Sequence, residues 1–170
     1  MAFDTTVAGA NANSYITMAE ASSFFAERLN SEVFTAASSA LQETALIQAS
    51  RTLDEWVDWI GSRATEEQNL RWPRYGAADR DGYVFDSDII PEWLKDASAE
   101  EAIYLLAEDR TAEPDTKGFS TLEVGSLKLV VDKQDRDSIT VLPDTVLTII
   151  EPYGEVRSRG GSVFAKLERT

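Results

Sequence analysis

The chain has 170 residues and carries 30 acidic against 16 basic side chains, a formal charge of -14, with neither cysteine nor histidine. That composition excludes disulfide scaffolds, thiolate nucleophiles, Ser-His-Asp triads and His/Cys metal sites, leaving only carboxylate, lysine, tyrosine or Ser/Lys chemistry. An outer surface of this sign repels phosphate, so tight nucleic-acid binding by the whole surface is not expected.

The length suits one domain burying roughly 70% of its unfolded surface. Residues 1–12 lack the basic and apolar regions of a secretory signal, and no apolar run of about 18 residues follows, so the expectation is a protein neither exported nor membrane-spanning.

In chain order, Thr17 followed by Glu20 reads as a capping box that opens a helix to about position 29. Ala21, Phe24, Phe25 and Leu29 supply its apolar face, and Asn30 and Ser31 end it. Ser39 with Gln42 reads as a second box. The helix it opens carries Leu46, Ala49, Leu53, Trp56 and Val57 at helical spacing, with Gly61 as its stop. Trp56 and Trp59, at the end of a strong helix, read as core. Pro91 suits a first helical turn, and Leu94, Ala97, Ala102, Leu105 and Leu106 continue that helix to about position 109; Trp93 in its first turn fits either the core or a cover for the preceding loop.

Beyond Pro114 and Gly118 the period changes to two: Leu127, Leu129 and Val131 alternate with Lys128 and Val130. Ile139 and Val141 are the expected partner strand across a charged turn at 132–138, giving a hairpin within 121–142. Pro143 leads a short helix with Val146, Leu147, Ile149 and Ile150, which ends before Pro152.

Residues 155–170 stand apart. They hold Arg157, Arg159, Lys166 and Arg169 against two acidic residues, a local charge opposite to the body's. Gly160 and Gly161 read as a flexible joint, and Val163, Ala165 and Leu167 alternate with Phe164, Lys166 and Glu168. Arg157, Arg159, Val163, Phe164, Lys166 and Leu167 are therefore expected to dock on a partner's surface or sheet edge, the alternative being a frayed terminus. The organisation expected is a mainly α (α+β) domain over 1–154, a small helical bundle with a long inter-helix loop and a β-hairpin, followed by an extended tail over 155–170.

The loop, residues 61–90, is far longer than an ordinary helix connection. Leu70, Trp72, Tyr75, Tyr83 and Phe85 give it too much apolar surface to leave in water. It either folds back on its own helices or meets a neighbouring subunit, and both can hold at once. The interface reading assigns Gln68, Leu70, Arg71, Trp72, Pro73, Arg74, Tyr75, Tyr83 and Phe85 to that contact.

The run Gln68-Asn69-Leu70-Arg71-Trp72-Pro73-Arg74 resembles the Q-x-L-x-W-P-R signature of tailed-phage head-tail connector (adaptor) proteins, many of which are described as DnaT-like single-stranded DNA-binding. The resemblance extends in order from Asn13-Ser14-Tyr15-Ile16-Thr17 through Ala45 to Trp56, Asp81-Gly82-Tyr83 and Ile90-Pro91, covering roughly 14–109. It implies a structural virion protein of the phage neck, assembled in the host cytoplasm as a ring of about a dozen subunits. Its implied partners are other copies of the chain, the portal protein and a stopper or tail-terminator. The genome passes through the bore without specific contact, and an acidic wall would let it slide.

Two other classes compete. Single-stranded DNA binding needs a basic groove interleaved with aromatics, and only Arg71, Trp72, Arg74 and Tyr75 resemble one. A carboxylate enzyme or cation site would draw on Asp79, Asp81, Asp86 and Asp88, but Gly82 and the missing closing glutamate do not fit a calcium loop, and a solvated acidic loop fits better. No catalytic residue, metal ligand or cofactor is expected.

Overall fold

Where side chains can stand in for missing backbone partners, helices begin. In a computed structural model of the chain, which describes residues 2–108, 121–124, 127–130 and 141–157, α1 (Met18–Glu27) opens on the expected capping box. Thr17 Oγ1 accepts from the Glu20 N–H at 3.2 Å, and the Glu20 carboxylate accepts from the Thr17 N–H at 2.8 Å. Such a cap stabilises by about 1 kcal/mol. Ala21 and Phe25 are buried and Phe24 partly so, but Leu29 is 85% exposed. The helix stops at Glu27, so Leu29 falls off the apolar face it was expected to join.

A one-turn helix, α2 (Glu32–Thr35), has no sequence signal of its own and exists to bury Phe34. The Phe34 ring stacks on Phe25 with centroids 4.1 Å apart. The next helix, α3 (Ser39–Trp56), is capped by Ser38, one residue before the expected box. It also ends earlier than its spacing predicts. Val57 leaves the helix and starts β1 (Val57–Trp59), with Val57 and Trp59 buried and Asp58 exposed. Leu53, Trp56 and Val57 share helical spacing, but Val57 and Trp59 also share one strand face, and a β partner decides between them. That partner is β6 (Gly154–Val156), antiparallel, with Val57 opposite Val156 and Trp59 opposite Gly154. A Cβ on Gly154 would lie 2.5 Å from Val57 Cγ1.

After the loop come α4 (Glu92–Ala107), with Pro91 at its N-cap, a hairpin of β4 (Thr121–Val124) and β5 (Leu127–Val130), and α5 (Asp144–Ile150). The hairpin pairs a segment ahead of the one expected. Leu129 pairs with Leu122, so β5 has a partner strand ahead of Leu127 that the sequence reading did not name. Ile139 lies outside the described residues, whereas Val141 and Leu142 are buried just ahead of α5.

Helix α4 is the central element, packed against α1, α2, α3 and α5. One apolar cluster joins Ile16, Phe25, Phe34, Leu46, Ala99 and Ala102 at one end of the bundle. A second joins Leu53, Trp59, Trp72, Leu94, Leu142 and Ile150 at the other. Arg28 grips Glu100 with two bonds of 2.6 and 2.9 Å, and Lys95 meets Glu20 at 2.5 Å, tying α1 to α4. The architecture is mainly α with small two-stranded β elements, as composition and periodicity predict.

Candidate functional site

The long loop is held to its own subunit by four devices. A two-residue ribbon pairs β2 (Ser62–Arg63) with β3 (Arg74–Tyr75), setting Arg63 opposite Arg74 and Ser62 opposite Tyr75. Gly61 makes the approach possible: its φ is +74°, and a Cβ there would lie 2.2 Å from the Tyr75 carbonyl oxygen.

Gln68 is the second device. Its buried amide donates to the carbonyls of Leu70 and Pro73 at 2.8 and 3.1 Å and accepts from the Thr65 N–H at 2.9 Å. Arg74 is the third. Its guanidinium donates to the carbonyl oxygens of Ile60 (2.6 Å), Arg71 (3.1 Å), Trp59 (3.2 Å) and Gly61 (2.5 Å). Burial lowers the Arg74 pKa, and Arg71 and Arg63 nearby lower it further, against the opposite pull of Tyr15 and Asp54.

The fourth device is a polar knot beneath Arg71. The Asp54 carboxylate on α3 accepts from the Tyr15 hydroxyl, from Trp59 Nε1 at 3.3 Å and from the Arg71 N–H at 2.9 Å. The Tyr15 oxygen also accepts from the Arg71 and Trp72 N–H groups at 3.1 and 3.3 Å. Burial pushes the Asp54 carboxyl up to about 6, even though its hydrogen bonds pull the other way. Burial, then the adjacent Asp54, pushes the Tyr15 phenol well above its ordinary value, so it stays protonated.

Trp72 is the apolar anchor of the loop. It is 1% exposed, with ring centroids 5.3 Å from Trp93, 5.9 Å from Phe85 and 6.2 Å from Trp59. Trp93 in turn stacks on Tyr153 at 3.9 Å. Of the residues assigned to a subunit contact, Gln68, Leu70, Trp72, Pro73 and Arg74 are buried in their own chain, and Phe85 is partly buried. The folding-back reading of the loop therefore holds for them: a sibling molecule is not needed to cover them. Arg71, Tyr75 and Tyr83 remain exposed.

Of the residues assigned to the tail, Arg157 is the one described. Its N–H donates to the Trp56 carbonyl at 2.8 Å and its guanidinium pairs with Asp58, so it lies on the body. The Arg157 bond, then its charge and that of Arg71, outweighs burial and lowers the Asp58 pKa. Arg159, Val163, Phe164, Lys166 and Leu167 lie outside the described residues.

Asp79 Oδ1 accepts from the N–H groups of Asp81 and Tyr83 at 3.0 and 2.8 Å, which makes it a turn residue. Among the described residues no group of three or more carboxylates is placed to hold a metal ion. A crevice between the N-terminal segment and the loop, lined by Thr6, Gly9, Ser14, Gln68 and Trp72, has room for about one water molecule and not for a substrate. No helix among the described residues is long and apolar enough to cross a membrane.

What remains on the outside is Arg63 and Arg71, exposed near the buried Arg74, and Tyr75, 56% exposed on the other face of the ribbon. Sequence reasoning missed Arg63, whose cross-strand partner lies eleven positions away, and it missed Tyr15 and Asp54. One signal for Asp54 was present: it sits four residues after Ser50, on the buried stripe of α3.

Fold and face together define a small, mainly α module whose outer feature is an arginine–tyrosine ribbon. A family model described as "Putative DnaT-like ssDNA binding protein" matches residues 1–170, and the chain belongs to that family. No curated protein and no solved structure matches it.

The family corrects the head-tail connector role that the resemblance implied, together with the virion neck, the portal and stopper partners and the passive relation to DNA. Its description names single-stranded DNA binding, not a connector. The total charge of -14 does not by itself exclude DNA binding. Net charge sums over the whole molecule, while a strand touches one face at distances comparable to the roughly 10 Å over which salt screens charge.

Proposed function

We propose that the protein binds single-stranded DNA through the β2–β3 ribbon and the turn before β3, where Arg63, Arg71 and Tyr75 are exposed, as a binding protein with no catalytic step. One observation carries this reading: the fold pins the Arg71 N–H and the Arg74 guanidinium, which leaves Arg63 and Arg71 exposed near Arg74 and Tyr75 exposed on the opposite face of the two-residue ribbon. Guanidiniums hold phosphates and a tyrosine ring stacks on a base of any identity, which is what a sequence-tolerant single-strand site requires. The family description supports the same reading. Glu66 and Glu67, exposed on the turn after β2, and the acidic body oppose it, so affinity is modest and falls steeply with salt.

The test is fluorescence anisotropy with a labelled deoxythymidine oligomer. With two phosphates neutralised, affinity falls about sevenfold between 50 and 200 mM salt, from a slope of about -0.7 per phosphate on single strands. The double variant Arg63→Glu/Arg71→Glu loses binding while its unfolding midpoint falls only slightly, through loss of the Arg63 bond to the Gln68 carbonyl at 3.2 Å. Tyr75→Ala weakens binding by about fivefold, the low end of one stacked base. Binding that survives the double charge reversal would sink the assignment.

A further inference from the structure

One guanidinium joins the turn that carries Arg71 to the strand that carries Asp58. Arg74 Nη1 donates to the Arg71 carbonyl at 3.1 Å, and Nη2 donates at 3.2 Å to the carbonyl of Trp59, the residue after Asp58. Asp58 is exposed on β1, and Arg71 lies close enough for the two charges to be felt. A carboxylate in that position competes with phosphate for the same guanidinium. Asp58 is instead gripped by Arg157, whose Nε donates to Oδ2 at 2.9 Å and whose Nη2 donates to Oδ1. The Arg71 guanidinium forms no hydrogen bond or ion pair among the described residues. We propose that Arg157 is a positioning residue for the DNA-binding site: it occupies Asp58, which would otherwise pair with Arg71 and withdraw that guanidinium from the strand. This rests on the single-strand-binding reading and adds a residue outside the ribbon on which it depends.

The strand register explains why Arg157 reaches Asp58. β1 and β6 pair Val57 with Val156 and Asp58 with Glu155, and the Arg157 N–H extends the ladder to the Trp56 carbonyl at 2.8 Å. Arg157 therefore stands diagonally from Asp58, a gap that a long side chain crosses. Glu155 lies directly opposite Asp58, so a released Asp58 carboxylate is repelled by its cross-strand neighbour. Arg71 is the other cation that Asp58 feels. The two-pronged grip on a carboxylate is one that arginine makes and lysine does not. A third bond, from Arg157 Nη1 to the Glu55 carbonyl at 3.4 Å, holds the guanidinium at the end of α3. Both partners are about half exposed, 49% and 57%, and pairs of that kind add little to stability. Their consequence here is which guanidinium stays free.

The experiment reads how much Arg71 contributes to DNA affinity in three backgrounds, from the Kd for a labelled deoxythymidine oligomer at about 50 mM salt. In the wild type, Arg71→Gln weakens binding about eightfold, one phosphate contact at a slope of about 0.7 extrapolated from about 1 M salt. In Arg157→Gln the same change costs less than about twofold, because Asp58 already holds the guanidinium. In Asp58→Asn/Arg157→Gln the cost returns to about eightfold, since no carboxylate is left to take it. An Arg71 contribution that is equal in all three backgrounds overturns the inference and leaves the DNA reading intact: Arg157 then acts through its own charge or its own contact with DNA. A contribution lost in Arg157→Gln that Asp58→Asn fails to restore overturns it as well. The DNA-free wild type supplies a measurement that needs no variant to fold: by NMR the Arg157 Nε–H exchanges slowly with water and the Arg71 Nε–H rapidly. An Arg71 signal as protected as that of Arg157 also overturns the inference. Absence of DNA binding by the wild type sinks the DNA reading, and this inference with it.

Discussion

Replacing Trp72 with alanine decides whether the most aromatic part of the loop belongs to the core. The side chain is 1% exposed and meets Trp59, Phe85 and Trp93 edge-on, with centroids 5.3 to 6.2 Å away. Burying a ring of this size removes about 150–250 Å² from water, which at about 25 cal/mol per Å² is roughly 4–6 kcal/mol. Three edge-on contacts add to this. One term opposes it: Trp72 Nε1 is buried and has no hydrogen-bond partner, and removing it relieves about 1–3 kcal/mol. The net loss is therefore about 3–5 kcal/mol, within the range of large-to-small aromatic substitutions.

For a chain of this length that loss lowers Tm by roughly 6–20 °C. Urea unfolding followed by circular dichroism measures it directly. Trp72→Phe keeps much of the ring packing and removes the unpaired N–H, so it loses clearly less than the alanine variant. An alanine variant with an unchanged midpoint, showing instead only altered association or DNA binding, would refute the core assignment and return Trp72 to a surface role.

Three other outcomes follow from the same geometry. Arg74→Ala leaves four carbonyls without their donor and costs about 2–4 kcal/mol; Arg74→Lys recovers less than half, since one ammonium cannot reproduce the fork, and urea midpoints report both. Gly61→Ala, with a φ of +74° and a carbonyl oxygen 2.2 Å from the new Cβ, separates the β2–β3 ribbon; faster amide exchange at Ala64, whose N–H bonds to the Pro73 carbonyl, checks it. Asp54, raised from 3.8 to about 6 on folding, binds protons more readily in the native state, so its contribution to stability is full below pH 3.8 and lost as pH rises through 6. The wild type is then about 1.4 kcal/mol more stable at pH 5 than at pH 7.5 from this group, and Asp54→Asn removes that difference in urea titrations at the two pH values.

Helix existence was readable from sequence because periodicity and caps are local. The Thr17–Glu20 box, the Leu46-Ala49-Leu53 stripe, the Pro91 start and the Pro143 start all lie within a turn or two of what they specify. So were the absence of histidine and cysteine and the need to cover Leu70, Trp72 and Phe85. What covers them was not readable, because burial depends on partners distant in the chain. Trp72 is enclosed by Trp59, Phe85 and Trp93, and Val57 becomes a strand because Val156, ninety-nine positions on, pairs with it. The same reason hid the face itself. Arg71, Trp72 and Arg74 look alike as a basic-aromatic run, but only the fold turns Trp72 and Arg74 inward, leaves Arg71 outside, brings Arg63 across the ribbon and sets Asp54 behind them.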